Sequence, residues 1–332
     1  MLTAKVKNQS ITIHNYNTVI VGAGAAGMNC AKKLYELMEQ KGVTNAQNRI
    51  AVVTTGLSLG ASRMSGSDKQ TYYKMGTSPE TADSAEHFAQ SLTAGGCCHG
   101  DLALIEAIGS LRGFYNLIEA GVPFPRNSLG SYIGYKTDHD PYERATSAGP
   151  KTSKFMSECL QKSVERYGIA IFDEHEALQL ATATTGKAGS KRIAALITID
   201  KKNLTDNDYA LNVFHRENLV LAAGGPGEMY KTTVYPRGQT GIHGLALRAG
   251  LAAENLTESH SAWAVKVPLE CIRYLYAGHS PNLQHGCQRQ RRAGIPDGLF
   301  SHDEQDGDRH FPERLPVAVR PTAYQRSAIV ID

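Results

Sequence analysis

Thr18-Val19-Ile20-Val21-Gly22-Ala23-Gly24-Ala25-Ala26-Gly27 lies near the head of the chain and decides how the rest is read. Its first four residues are apolar or β-branched and predict a short buried strand. The strand runs into G-x-G-x-x-G. Met28 to Leu37 then predicts a helix with Cys30, Ala31, Leu34 and Leu37 on one face and Lys32, Lys33 and Glu36 toward water. Strand, glycine turn and helix in that order form a dinucleotide phosphate site. Gly22 permits the tight turn, Gly24 lets backbone approach a pyrophosphate, and Gly27 lets the helix lie close to the strand. The helix N-terminus adds unpaired N–H groups and the positive end of its dipole.

Arg49 to Gly56 (RIAVVTTG) predicts the second strand. Such strands usually end in an acid that takes the ribose hydroxyls. This one ends in Thr54 and Thr55, which can donate or accept without charge. Leu57 to Lys74, LSLGASRMSGSDKQTYYK, is small and polar where a nicotinamide enzyme would start a second crossover helix. It predicts a loop able to lay N–H groups along a flavin edge. Far down the chain, Asn218 to Gly227 (NLVLAAGGPG) is another apolar strand ending in glycines, followed by Gln239 to Gly250 (QTGIHGLALRAG).

Those two segments resemble the FAD-binding flavoprotein family of fumarate reductase and succinate dehydrogenase flavoprotein subunits and L-aspartate oxidase. The middle of the chain is similar as well. Ser84 to Phe124 resembles the family's helical pair, with Leu92, Leu102, Leu104, Ile105, Ile108, Leu111, Phe114, Leu117 and Ile118 as its apolar face. Arg144 to Pro150 and the helix through Cys159 resemble a turn and helix of the family, and Phe172 to Leu178 the strand that meets the adenine. The resemblance implies an α/β fold: a Rossmann-like FAD-binding domain, with a parallel sheet flanked by helices and a small antiparallel sheet, and a helical insertion. It implies that Gly22, Gly24, Ala26 and Gly27 hold the pyrophosphate and that Thr55 stands at the ribose. Ser62, Ser65 and Gly66 would line the phosphate and ring side, and Ala177 would meet the adenine. Ala223, Gly224, Thr240 and Gly241 would close the far side. No His lies from Ser62 to Ser65, where covalent members carry one, so noncovalent FAD is expected; Ile242 replaces an Asp of the family's pattern.

The resemblance further implies an oxidoreductase that passes hydride through FAD, a dicarboxylate substrate and an iron–sulfur partner subunit. The family's carboxylate-binding groups fall beyond the late strand, and His260 stands one or two positions from an expected His. The densest polar cluster is Tyr132 to Arg144 (YIGYKTDHDPYER). Asp138, His139 and Arg144 are its candidates for acid–base and anion-binding work, against the alternative of a solvated loop with local charge pairs. A catalytically incompetent truncated flavin binder and an NAD-dependent dehydrogenase are the other readings.

Composition narrows the classes. Among 332 residues, 35 basic side chains face 32 acidic ones, a net charge of +3, which leaves no footprint for nucleic acid. No apolar run reaches the roughly 18 residues that a membrane span needs, and MLTAKVKNQSITIHNYN has no secretory h-region. The six cysteines (Cys30, Cys97, Cys98, Cys159, Cys271, Cys287) show no metal spacing and suit free thiols in the cytoplasm.

The domain expectation is an N-terminal extension over 1–16, an FAD-binding domain lacking the family's cap over 17–261, and a poorly structured tail over 262–332. The tail scatters Pro, Arg and His with few periodic apolar runs. Codons for Val267 to Pro281, read one base later, can give FRWNVSGTYMQVIP, and those for Phe311 to Pro321 can give FLKGYQWPFD. Both strings look like flavoprotein continuations, so the tail is expected to be out of frame.

Overall fold

A computed structural model describes residues 2–6, 9–65, 70–78, 80–96, 98–132, 134–137, 140–184, 191–206, 208–228, 238–256 and 329–330. Met1–His260 with Arg326–Asp332 forms one compact unit and Ser261–Gln325 a second; every described residue belongs to the first. The expected irregular tail and His260 lie outside the described residues.

In chain order the elements are β1 (Leu2–Val6), β2 (Gln9–Val21), α1 (Ala25–Gln40), β3 (Ile50–Val53), α2 (Ala61–Met64), β4 (Tyr72–Tyr73), α3 (Ala85–Thr93) and α4 (Gly100–Glu119). Then follow β5 (Tyr135–Thr137), β6 (Asp140–Thr146), α5 (Thr152–Arg166), β7 (Ala170–Phe172), β8 (His175–Thr184), β9 (Lys191–Asp200), β10 (Leu211–Leu221), α6 (His243–Arg248) and β11 (Ile329–Val330). The main sheet runs β7-β3-β2-β10-β9-β8, with β1 also on β2 and β11 also on β10. β7, β3, β2 and β10 are parallel, whereas β8 and β9 return antiparallel. A small antiparallel sheet, β4-β6-β5, stands apart, and α3 with α4 supplies the helical insertion. This is the expected Rossmann-like architecture.

Side-chain alternation along the parallel strands builds two cores, one on each face. Ile20, Ile50, Val52 and Val220 point to one side, where Met28 and Ala31 of α1, Phe114 and Leu117 of α4, and Leu160 and Val164 of α5 meet them. Val19, Val21, Ala51, Val53, Leu219 and Leu221 point to the other, against Leu196, Phe214, and Ile242 and Ala246 around α6.

Several expectations are corrected. β2 begins at Gln9 rather than near Thr18, because its first half pairs with β1 and β10. Lys32 is not in water: it is only 2% exposed, and its Nζ reaches Glu36 (2.6 Å) and Asn116 Oδ1 (2.6 Å). Leu37 is exposed instead. On α4 the buried apolar residues are Ala103, Ala107, Phe114 and Leu117, while Leu102, Leu104, Ile105 and Ile108 face outward. Small residues let this helix approach its neighbours closely, so the bulkier stripe is left outside. The stretch from Phe172 to Leu178 breaks into β7 and β8 at a turn where Glu174 adopts φ +58°.

The insertion is pinned by one buried ion pair. Arg144 donates from Nε and Nη2 to both oxygens of Asp83 (2.8 and 2.7 Å) and from Nη1 to Ser91 Oγ (2.9 Å). Its guanidinium also lies over the rings of Phe88 and Tyr142 (4.6 and 4.4 Å). Both side chains are shut off from water, at 1% and 0% exposure. Burial pushes the Asp83 carboxyl up, but Arg144 and the N–H groups of Gly76 and Ser84 outweigh it and hold that carboxyl below its ordinary range.

Removing one partner leaves a buried charge unpaired, so Asp83→Ala is expected to cost about 3–5 kcal/mol in urea unfolding. Asp83 binds its proton less readily folded than unfolded, so this stabilisation is present above the unfolded pKa and is lost as pH falls through the folded one. His14 follows the same sign at higher pH. Its pKa is lowered by burial first, with the Asn212 hydrogen bond opposing and His175 adding to the shift. Stability is expected to decline as pH falls below about 6.5, and His14→Gln should flatten that limb in thermal melts recorded across pH.

Candidate functional site

The carboxyl ends of β3, β2 and β10 are tied side by side. Gly22 N–H donates to Val53 O (2.8 Å) and Ala222 N–H to Val21 O (2.7 Å). Gly22 takes φ +115°, and a Cβ there would lie 2.2 Å from Ala222 O. A Cβ on Gly27 would lie 2.0 Å from Gly22 O, so α1 rides directly on the turn. Packing alone demands these two glycines. Gly24 differs: its φ of −72° suits any residue, and a Cβ there would touch only Ser62, 3.1 Å from Oγ. The bare backbone at Gly24 keeps space open beside the N-terminus of α1.

That N-terminus has no acidic residue in its first turn and no capping side chain of its own. Ser62 reaches across from α2, its Oγ accepting from Ala25 N–H (3.1 Å). No acceptor for the N–H groups of Ala26 and Gly27 is present among the described residues. Such an end suits an anion. α2 is held in place from α5: Arg63 pairs with Glu158 (2.9 Å) and bonds Gln161, while Gln70 bonds Ser153 (2.9 Å). The expected loop therefore contains one anchored helical turn. Ser65 closes it, donating its N–H to Ala61 O (2.9 Å). Gly66 lies outside the described residues.

At the end of β3, Thr54 is buried and spends its hydroxyl on Gly56, while Thr55 is exposed. An acid does stand here, supplied by the turn after β7. Asp173 Oδ1 accepts from Leu57 N–H and from Glu174 N–H (2.9 Å each). Sequence reading missed it because it follows a different strand. Ala177 lies just past this corner on β8, half-buried, where the register with β9 slips between Ala177 and Gln179.

Gln239, also missed, closes the late loop. Its carbonyl accepts from Gly227 (2.9 Å) and Glu228 (3.0 Å), and its Nε2 donates to Gly225 O (3.3 Å). A Cβ on Gly224 would lie 2.8 Å from Gln239 Nε2, and one on Gly60, at the start of α2, would lie 3.8 Å from Oε1. Gly224 and Gly60 are therefore brought to one side chain. Gly241, at φ +74°, packs against the Gly225–Pro226 backbone; Thr240 is exposed and Ala223 half-buried. Ile242, where an Asp was anticipated, is buried in the core. Asp138 and His139 lie outside the described residues. Arg144, offered from sequence as an anion-binding group, is committed instead to Asp83 and Ser91. Among the described residues no His, Cys, Asp and Glu group could hold a metal, and no helix is long and apolar enough to cross a membrane.

With this geometry in place, comparison with known proteins is decisive: the FAD binding domain family matches residues 17–269. The chain belongs to it. L-aspartate oxidase of Pseudomonas aeruginosa is 26% identical, covering 73% of this chain and 44% of that protein. L-aspartate oxidase of Streptomyces coelicolor is also 26% identical, with 72% and 38% covered. The Mycobacterium smegmatis Sdh1 structure in complex with UQ1 superposes with a TM-score of 0.57 at 22% identity, covering 72% of this chain and 39% of that one. The chain thus spans less than half the length of these relatives. The sequence relatives are L-aspartate oxidases, and the Sdh1 structure shares the fold.

The contrast among glycines is testable. Gly24→Ala is expected to leave the melting temperature nearly unchanged while weakening FAD binding about tenfold or more, roughly 1.4 kcal/mol. Gly22→Ala should lower both, because its Cβ meets backbone.

Proposed function

We propose that this chain forms the FAD-binding part of an oxidoreductase that moves hydride to or from a small dicarboxylate and holds its flavin without a covalent link. The observation that carries the reading is the opening at Gly24 beside uncapped N–H groups, framed by two glycine-ended strands. FAD supplies a ring that accepts or releases hydride. The protein's part is to bind and orient it. The backbone at Gly22, Gly24, Ala26 and Gly27 would neutralise the pyrophosphate. Ser62 would yield Ala25 N–H or share it, Thr55 and Asp173 would meet the ribose end, and Ala177 the adenine. Ser65, Gly66, Ala223, Gly224, Thr240 and Gly241 would bound the ring side. Noncovalent attachment is supported by the side chains from Ser62 to Ser65, none of which is a His. Dicarboxylate chemistry and an iron–sulfur partner rest on the family resemblance alone.

A second reading has its own support. The tail from about 262 reads as out of frame. On that reading this chain binds flavin but cannot turn over. A nicotinamide enzyme is disfavoured by α2, a single anchored turn where a crossover helix would begin.

Purified protein should be yellow and should release all its flavin into the supernatant on acid precipitation. A colourless protein that fails to take up added FAD would overturn the assignment. Anaerobic bleaching of the flavin by succinate or L-aspartate, or reoxidation by fumarate, separates the active reading from the truncated one. Sequencing the coding region past residue 258 decides whether a single-base slip exists.

A further inference from the structure

The outward face of α4 does not belong to the cofactor site, and its pattern is specific. Ile105 and Ile108 are 66% and 64% exposed, flanked by exposed Leu102, Leu104 and Tyr115. The seam Asp101, Ile105, Ile108, Arg112, Tyr115, Glu119 steps by four, three, four, three and four residues. That is the heptad spacing of a helix that packs lengthwise against another. Gly109 lies beside the seam, and a Cβ there would meet nothing within 4 Å, so a second backbone can approach. A monomer gains nothing from setting two isoleucines and two leucines in water along one helix.

We propose that α4 pairs with α4 of a second copy of this chain, antiparallel, about a two-fold axis between Ile105 and Ile108. Charge selects this arrangement. In an antiparallel pair with that centre, Ile105 of one protomer meets Ile108 of the other. Asp101 then meets Arg112, twice by symmetry. A parallel pair would set Asp101 on Asp101 and Arg112 on Arg112. Sliding one helix along the other by a whole heptad would set Asp101 against Glu119. Both alternatives place like charges together at the ends of the apolar seam. The interface is isologous, so the two patches are the same patch and the assembly closes at two.

The competing occupant is the chain that follows Leu256, since Asn255 accepts the His99 N–H at the head of α4 (2.7 Å). Light scattering on the full chain in the presence of FAD decides between them. The proposal expects the mass of two chains for the native sequence and of one chain for Arg112→Asp or Ile105→Glu. The double exchange Asp101→Arg with Arg112→Asp should restore two. Helical circular dichroism equal to that of the native chain serves as the check on folding. A single-chain mass for the native protein at every concentration overturns the pairing. So does a dimer that Arg112→Asp leaves intact, or one that the double exchange does not restore.

Discussion

The site depends on how closely two strand ends can approach. β2 and β10 are more than 180 residues apart in the chain, yet Gly22 sits where any Cβ would strike the Ala222 carbonyl. That approach fixes the turn, and the turn fixes α1, because Gly27 lies equally close to Gly22 O. The N-terminus of α1 then starts at this junction, with Ser62 across from it. The Ser62 segment and Gln239 settle around this frame, each held by contacts that presuppose it.

The stabilising charges sit elsewhere. Arg144 and Asp83 lock α3 to the small sheet, and Lys32 with Glu36 and Asn116 locks α1 to α4. Buried ion pairs contribute little net stability but penalise any arrangement that separates them. They define where the insertion docks. Arg144, in a rich polar cluster, spends Nε, Nη1 and Nη2 on Asp83 and Ser91 and so serves the docking of α3.

Much of the fold was legible because local rules and the global fold agree. Val19, Ile20 and Val21 alternate between two cores, and the glycine turn follows at once. What misled was helical periodicity on α4, where small and bulky apolar residues alternate faces and only packing tells which face is inward. Lys32 misled for a related reason. A lysine on a helix is solvated by default unless a distant helix brings Asn116 to its amine. Asp173 and Gln239 gave no local signal, since each acts on a segment far from it in sequence.

Sequence by itself determined the two glycine-ended strands, the helix after the first, and hence a dinucleotide-binding α/β domain. Those features arise from steric limits on single residues and from side-chain alternation within a few residues. Only the tertiary structure decided which glycines packing demands and which one it leaves open. It also decided where the acid near β3 comes from, and which face of α4 is left exposed. Those are properties of distances between segments, and spacing along one chain does not encode them.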